Sequence, residues 1–419
     1  MHAISKIIAR HANRKSVEIG EIVNVIPDYV MLNDRGAARA ADLLRQMGGE
    51  RVYAPEQVIV VFDHHYPPIR QQDSVSQKRT REWIKEQGIT KFHAGEGIGH
   101  VIFPEKGYAF PGALIFGTDS HTVTNSALGC VATGMGHSDI ASYLALGYNW
   151  LRVPEIIRFN LHGEFKQGVC AKDIALRIAQ LYGEDAAPYL GVEFSGPLTA
   201  KLPMSERLVL CNMVIDFGAK TGYIQPDETT ARFMTERAPH LQWTAETTDA
   251  DSDCGRIVDL EVGEIDSLVA VPHDLSNIQS ADVLSSVRID EAIFGTCTGG
   301  RIDDFRVAAA IMKGKKLASH TRMMVNPGSR EVYLQAMREG IIDVMVEAGA
   351  TIGVPSCGPC SGCHQGMLAP AENAITNASR NFRGRFGSPE ANAYVASSAT
   401  VAASAIAGHI VAPAEFIQR

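Results

Sequence analysis

The chain has 419 residues and no run of about 18 apolar side chains, the length a membrane-crossing helix needs. Its first residues, Met1-His2-Ala3-Ile4-Ser5-Lys6, lack the apolar core of a secretory signal. Positive charge is not in excess. With 39 Lys and Arg against 47 Asp and Glu the net charge is −8, which argues against nucleic acid or an anionic membrane as a partner. Cysteine is too sparse for a disulfide framework. Eight in a chain of this length point to a reducing compartment, and the cytoplasm is the expected location. There is no internal repeat and no low-complexity tract. With 45% hydrophobic and 21% charged residues, the composition excludes a disordered or fibrous chain and suits two or three globular domains.

What is present is an alternation of two periods. Gln57 to Phe62, Ala113 to Phe116 and Leu268 to Val271 are short β-branched runs that read as buried strands. Ala37 to Met47, Ser74 to Gln87 and Asp303 to Met312 have helical spacing, and the first two stop at Gly48-Gly49 and Gly88. Strand–helix alternation predicts α/β layers. Faint boundaries near 153 and 276 suggest three domains: 1–153, 154–275 and 276–419.

The residues with chemistry cluster at the ends of these runs. Cys357-Gly358-Pro359-Cys360-Ser361-Gly362-Cys363-His364 presents thiols on a tight turn, which reads as metal binding. Three options stay open on this segment alone. Zinc would take Cys357, Cys360, Cys363 and His364. A ferredoxin-type cluster would want a fourth nearby Cys, and none follows residue 363. A cluster with three thiolates would draw one from elsewhere. The candidate is Cys297, in Phe294-Gly295-Thr296-Cys297-Thr298-Gly299-Gly300, read as a small, exposed thiol in a glycine-rich turn at a helix start. Phe116-Gly117-Thr118-Asp119-Ser120-His121 runs from a strand into an Asp–His pair, where sites gather in open α/β sheets. Phe62-Asp63-His64-His65 ends its strand the same way, and Gly97-Ile98-Gly99-His100 adds a further His. Ser379-Arg380-Asn381-Phe382-Arg383-Gly384-Arg385 gathers three guanidinium groups that match carboxylates bidentately, which suggests a carboxylate-bearing substrate.

Together these segments resemble the aconitase superfamily, most closely its large subunits of the 3-isopropylmalate dehydratase and homoaconitase type. The resemblance covers nearly the whole chain. It runs, in the family's order, through Asp63-His64, Gly97 to His100, Thr118 to Thr122, Cys211-Asn212-Met213 with Gly218-Ala219, Cys297-Thr298, Cys357 to Cys360, and Arg380-Asn381-Phe382 with Gly384-Arg385. It implies three-layered α/β/α domains packed around a central iron–sulfur site. It implies one [4Fe–4S] cluster per chain on Cys297, Cys357 and Cys360, its fourth iron acting on substrate as a Lewis acid. Cys363 stands where such relatives have Gly and is not counted as a ligand. The implied enzyme is a hydro-lyase of leucine-pathway type that isomerises a hydroxy di- or tricarboxylic acid. Isopropylmalate comes first, with homocitrate or a dimethylmalate- or methylmalate-type acid as alternatives. An RNA-binding or zinc-binding protein on the same scaffold is the alternative of another class. By resemblance, Asp63, His64, His100, Asp119, His121 and Asp216 are catalytic, and Asp63-His64, His100 and Asp119-His121 handle the departing water's proton. Arg380, Arg385, Ser379, Asn212 and Asn33 bind or shape the substrate. The swivelling domain that carries the α-proton base in single-chain aconitases is expected on a separate small subunit.

Three segments depart from the family. Its Ser-Cys-Thr-Asn is Thr296-Cys297-Thr298-Gly299 here, the Glu of Asn-Met-x-x-Glu is Asp216, and the Asn before Arg-Asn-Phe is Ser379. Asp216 keeps a carboxylate but shortens its reach by about 1.5 Å, which matters where reacting groups are tightly placed. The other two changes remove amides beside the expected cluster and leave the choice of diacid open.

Overall fold

The computed structural model describes residues 1–249, 252, 254–362 and 364–417, with the side chain of Ser361 left aside. Cys363 therefore lies outside the described residues. Contacts divide the chain into two compact units. The first holds Met1–Ala94, Ile102–Leu161 and Ala187–Leu260, and the second Gly95–Val101, His162–Ala186 and Glu261–Arg419. Among the described residues no helix is long and apolar enough to cross a membrane.

The first unit is built on a parallel sheet ordered Lys91–Ala94, Val58–Phe62, Tyr29–Asn33, Leu114–Gly117, Val131–Gly134. Val58–Phe62 is buried at every position, as expected of a β-branched run covered on both faces. The helices Asp34–Gln46, Gln71–Gln87 and His137–Leu146 follow strands of this sheet. Because the strands are parallel and paired Asn33↔Val61 and Met31↔Gly117, their C-terminal ends emerge side by side. That register delivers Asn33-Asp34, Asp63-His64 and Thr118-Asp119 to one edge. A second sheet, ordered Thr221–Ile224, Gly191–Ser195, Ile156–His162, Arg256–Glu261, lies in the middle of the sequence.

The second unit holds a seven-stranded mixed sheet. Its order is Ile278–Ser280, Leu268–Ala270, Asn392–Ala396, Asn373–Thr376, Glu291–Gly295, Arg322–Asn326, Thr351–Ile352. Leu268–Ala270 is antiparallel to both of its neighbours, and the remaining pairs are parallel. Glu291–Gly295 is buried throughout and sits between Asn373–Thr376 and Arg322–Asn326. The loops leaving Gly295, Thr376 and Ile352 thus share one edge, and they carry Cys297, Arg380 and Cys357.

Candidate active site

In the first unit the strand ends and the turn Val214–Phe217 bring together five titratable side chains. His64 stands between two carboxylates: its Nδ1 lies 2.7 Å from Asp63 Oδ1 and its Nε2 3.2 Å from Asp119 Oδ2. Asp119 opens the 3₁₀ segment Ser120–Leu128, and its Oδ1 accepts the His121 N–H at 2.8 Å. His121 Nε2 in turn lies 3.3 Å from Asp216 Oδ2. Asp63, His64, Asp119, His121 and Asp216 thus lie in one file, in which Asp119 meets His121 through the backbone N–H while its Oδ1 stands 3.8 Å from His121 Nδ1. The Asp63–His64–Asp119 group and the His121–Asp216 pair can each hold and pass a proton. Asp216 reaches His121 despite its short side chain, because the turn Val214–Phe217 directly follows the helix Met204–Met213.

Asn212 and Asn33 have scaffold contacts. Asn212 Nδ2 donates to Thr124 Oγ1 at 2.8 Å, and Thr124 Oγ1 donates to the His121 carbonyl at 2.7 Å. Asn212 therefore braces the turn that presents His121. Asn33 Oδ1 accepts the Gly36 N–H at 2.6 Å and caps the helix Asp34–Gln46.

Asp34 escaped the sequence analysis. Its two carboxylate oxygens accept consecutive backbone N–H groups, from His64 at 3.1 Å and from His65 at 2.8 Å. Burial, and then the charge of Asp63, push its pKa above the usual carboxylate range. The signal that flags Asp63 and Asp119, an acid at the end of a buried strand, also applies to Asp34. As part of Asn33-Asp34 it reads first as a helix start.

In the second unit, the chain leaves Glu291–Gly295 through two left-handed residues, Gly295 at φ 117° and Thr296 at φ 69°. Cys297 follows in the short helical turn Thr296–Gly299 and is only 8% exposed, packed with Cys357 against Ile98 and Val101. The expected exposed thiol is therefore a buried one, because the reversed turn aims it into the apolar pair. His100 sits between those two contacts in sequence and is itself buried. Cys360 follows Cys357 by one 3₁₀ turn, its N–H donating to the Cys357 carbonyl at 3.2 Å.

The arginine loop adjoins that turn. Arg385 Nη2 donates to Cys360 Sγ at 3.3 Å, and its guanidinium lies 5.2 Å from the centre of the Phe382 ring. Two anchors hold the loop's start: Lys172 Nζ donates to the Ala378 carbonyl at 2.9 Å, and Asn381 Nδ2 to the Val271 carbonyl at 3.1 Å. Between them Ser379 Oγ is buried with no hydrogen-bond partner among the described residues, and Arg380 is half-buried.

Among the described residues, His2 with Glu193 and Cys254 also offers ligand atoms. His2 Nδ1 accepts the Ile4 N–H at 3.1 Å, so Nε2 carries the proton it shares with Glu193 Oε2 at 3.1 Å. Arg158 Nε donates to the same oxygen at 2.5 Å. This is a capped helix start tied to an ion pair, and a metal on Nε2 would undo the cap.

The sheet edges, the histidine–carboxylate file and the cysteine turns together define a protein of a known class. The profile described as "Aconitase family (aconitate hydratase)" matches residues 5–279 and 273–408. The chain belongs to the aconitase family of hydro-lyases and has its α/β fold. It is 41% identical over 414 residues, 99% of each chain, to the probable 3-isopropylmalate dehydratase large subunit of Methanothermobacter thermautotrophicus. It is 40% identical over 419 residues, the full length of both chains, to the 3-isopropylmalate dehydratase large subunit of Halothermothrix orenii. With the same subunit of Aquifex aeolicus it shares 40% over 424 residues, which covers 100% of this chain and 98% of that one.

Proposed function

We propose that this chain is the cluster-bearing large subunit of a cytoplasmic hydro-lyase that interconverts 2- and 3-isopropylmalate, working with a separate small subunit. Full-length similarity near 40% to large subunits of that name supports the substrate and the partner. The observation that carries the chemistry is His64, held between Asp63 and Asp119.

The residues present fit a [4Fe–4S] cluster. Thiolate sulfur is the donor such clusters take. Cys297 and Cys357 share one packing site, Cys360 follows within a turn, and the Arg385 guanidinium offsets thiolate charge at Cys360 Sγ. Gly358, at φ 54°, lets the turn close, since a Cβ there would fall 2.4 Å from Asn326 Oδ1. When bound, the cluster supplies a Lewis acid for the hydroxyl that leaves.

The chain's own side chains do the rest. Arg380 pairs with a substrate carboxylate through its planar fork and orients the diacid. His64 Nε2, shared with Asp119 Oδ2, gives the proton that turns the departing hydroxyl into water. On rehydration the incoming water gives a proton back to His64 Nε2 as its hydroxyl adds to the neighbouring carbon, and Asp119, with His121 and Asp216 beside it, offsets the charge that the imidazole takes up. Asp63 fixes the ring through Nδ1, so that Nε2 is the nitrogen presented. The α-proton goes to a base on the small subunit.

The test is an anaerobic assay of the reconstituted chain with its small subunit, following the unsaturated intermediate by ultraviolet absorbance. The panel holds isopropylmalate, homocitrate and methyl-substituted malates. Turnover of isopropylmalate above the others is the expected outcome. Preference for another diacid would replace the substrate, and no turnover of any would overturn the reading.

A further inference from the structure

The turn that carries Cys297 is closed by a ring of hydrogen bonds, and the ring runs through a residue to which neither the family pattern nor the reaction gives a role. Asn377 follows the strand Asn373–Thr376 and is fully buried. Its Oδ1 accepts the Gly295 N–H at 2.9 Å. Its Nδ2 donates to the Gly299 carbonyl at 3.0 Å and to Ser398 Oγ at 2.9 Å. One amide therefore ties together the residues immediately before and after Thr296-Cys297-Thr298. From Ser398 the ring continues, with Oγ donating to Asp304 Oδ1 at 2.6 Å. Asp304 Oδ2 accepts the Arg301 N–H at 3.0 Å, and Arg301 Nη1 donates to the Cys297 carbonyl at 2.8 Å. The path thus returns to the cysteine it encircles.

Two further observations show that the turn needs holding. Thr296 is β-branched yet stands at φ 69°, a region such side chains rarely adopt. Gly299 has no room for a side chain, because a Cβ there would fall 2.1 Å from Asn377 Nδ2. The Asn377 amide fills the place where a side chain at 299 would start.

We propose that Asn377 is the positioning residue for Cys297, fixing where its sulfur stands by bridging Gly295 and Gly299. The consequence for iron rests on the reading of Cys297 as a cluster ligand. The clamp itself is a property of the protein without iron.

The experiment is alkylation of iron-free protein by iodoacetamide at fixed pH, with Cys297 and Cys357 followed in the same sample by mass spectrometry. Asn377→Ala and the near-isosteric Asn377→Asp, which faces a carboxylate onto the Gly299 carbonyl, raise the Cys297 rate about tenfold or more. The Cys357 rate stays within about twofold. Gly299→Ala acts alike when Asn377 is present and adds little in the Asn377→Ala background, the non-additivity expected of groups that collide. Reconstituted Asn377 variants lose their visible cluster absorbance in air faster by a similar factor. Circular dichroism melting separates unfolded material, and the Asp variant keeps the test open should the Ala variant not fold. An unchanged Cys297 rate, an equal rise at Cys357, or additive Gly299 and Asn377 effects would each overturn the clamp. Should iron fail to bind while Cys297 alone speeds up, the cluster reading falls and the clamp stands. Normal iron binding with unmoved Cys297 is the reverse case.

Discussion

His64 Nε2 lies 3.2 Å from Asp119 Oδ2 while its Nδ1 lies 2.7 Å from Asp63 Oδ1, so one imidazole joins acids from two strands that flank Tyr29–Asn33. Both ring nitrogens face carboxylate oxygens, which suits a ring that gives a proton from one side and is held by the other. Asp63→Asn keeps the shape but presents the wrong partner to Nδ1. It is expected to lower kcat by about 10²–10⁴-fold while KM stays nearly constant. Steady-state kinetics of the reconstituted heterodimer check this, and a change confined to KM would contradict it.

Asp34 acts one step further out. Because its carboxylate accepts both the His64 and the His65 N–H, Asp34→Asn turns a donor toward one of them. A loss of about 1–3 kcal/mol in unfolding free energy is expected, with a fall in kcat smaller than that of Asp63→Asn. Urea denaturation and kinetics on the same preparations check the pair. Unchanged stability would show that the two bonds contribute nothing.

Much of this architecture is legible in the sequence where burial dictates composition. Val58–Phe62, Leu114–Gly117 and Leu268–Ala270 are strands because β-branched runs covered on both faces have few alternatives. The acids and histidines at their ends stand out against that apolar background. The proximity of Cys297 to Cys357 is not legible. It depends on the parallel pairing of Gly295 with Asn326 and of Val325 with Ile352, which no local pattern encodes. The burial of Cys297 is equally hidden, since a glycine-rich turn reads as exposed until the partner segment Ile98 to Val101 is known. Gly299 reads as a lost amide, whereas the fold brings the amide of Asn377 to the same place.

Arg385 couples the cysteine turn to the arginine loop through Cys360 Sγ and the Phe382 ring. Arg385→Lys keeps the charge and loses the planar fork. Faster cluster decay in air by about 10–100-fold is expected, followed by loss of visible absorbance. Decay at the wild-type rate would confine Arg385 to substrate binding.

Asp173 gives the fold a pH dependence. Its oxygens accept the Leu268 N–H at 2.8 Å and the Cys170 N–H at 2.9 Å, and burial pushes its pKa from 3.8 up to about 6. Between those values the folded protein holds more protons than the unfolded chain. The group's contribution is therefore full below 3.8 and is lost as pH rises through about 6. Asp173→Asn removes this titration, so the stability gap between wild type and variant is widest near the low end of the window and narrows above it. Urea titrations at a series of pH values check this, and a gap that widens with pH would contradict it.

Iron and acid-labile sulfide counted per chain after anaerobic reconstitution bear most directly on the proposal that Cys297, Cys357 and Cys360 hold one cubane. About four of each are expected in the wild type and in Cys363→Ser, with loss of the cubane in any of the three single Ser variants. A single zinc without sulfide, or full iron retained by Cys297→Ser, would contradict it.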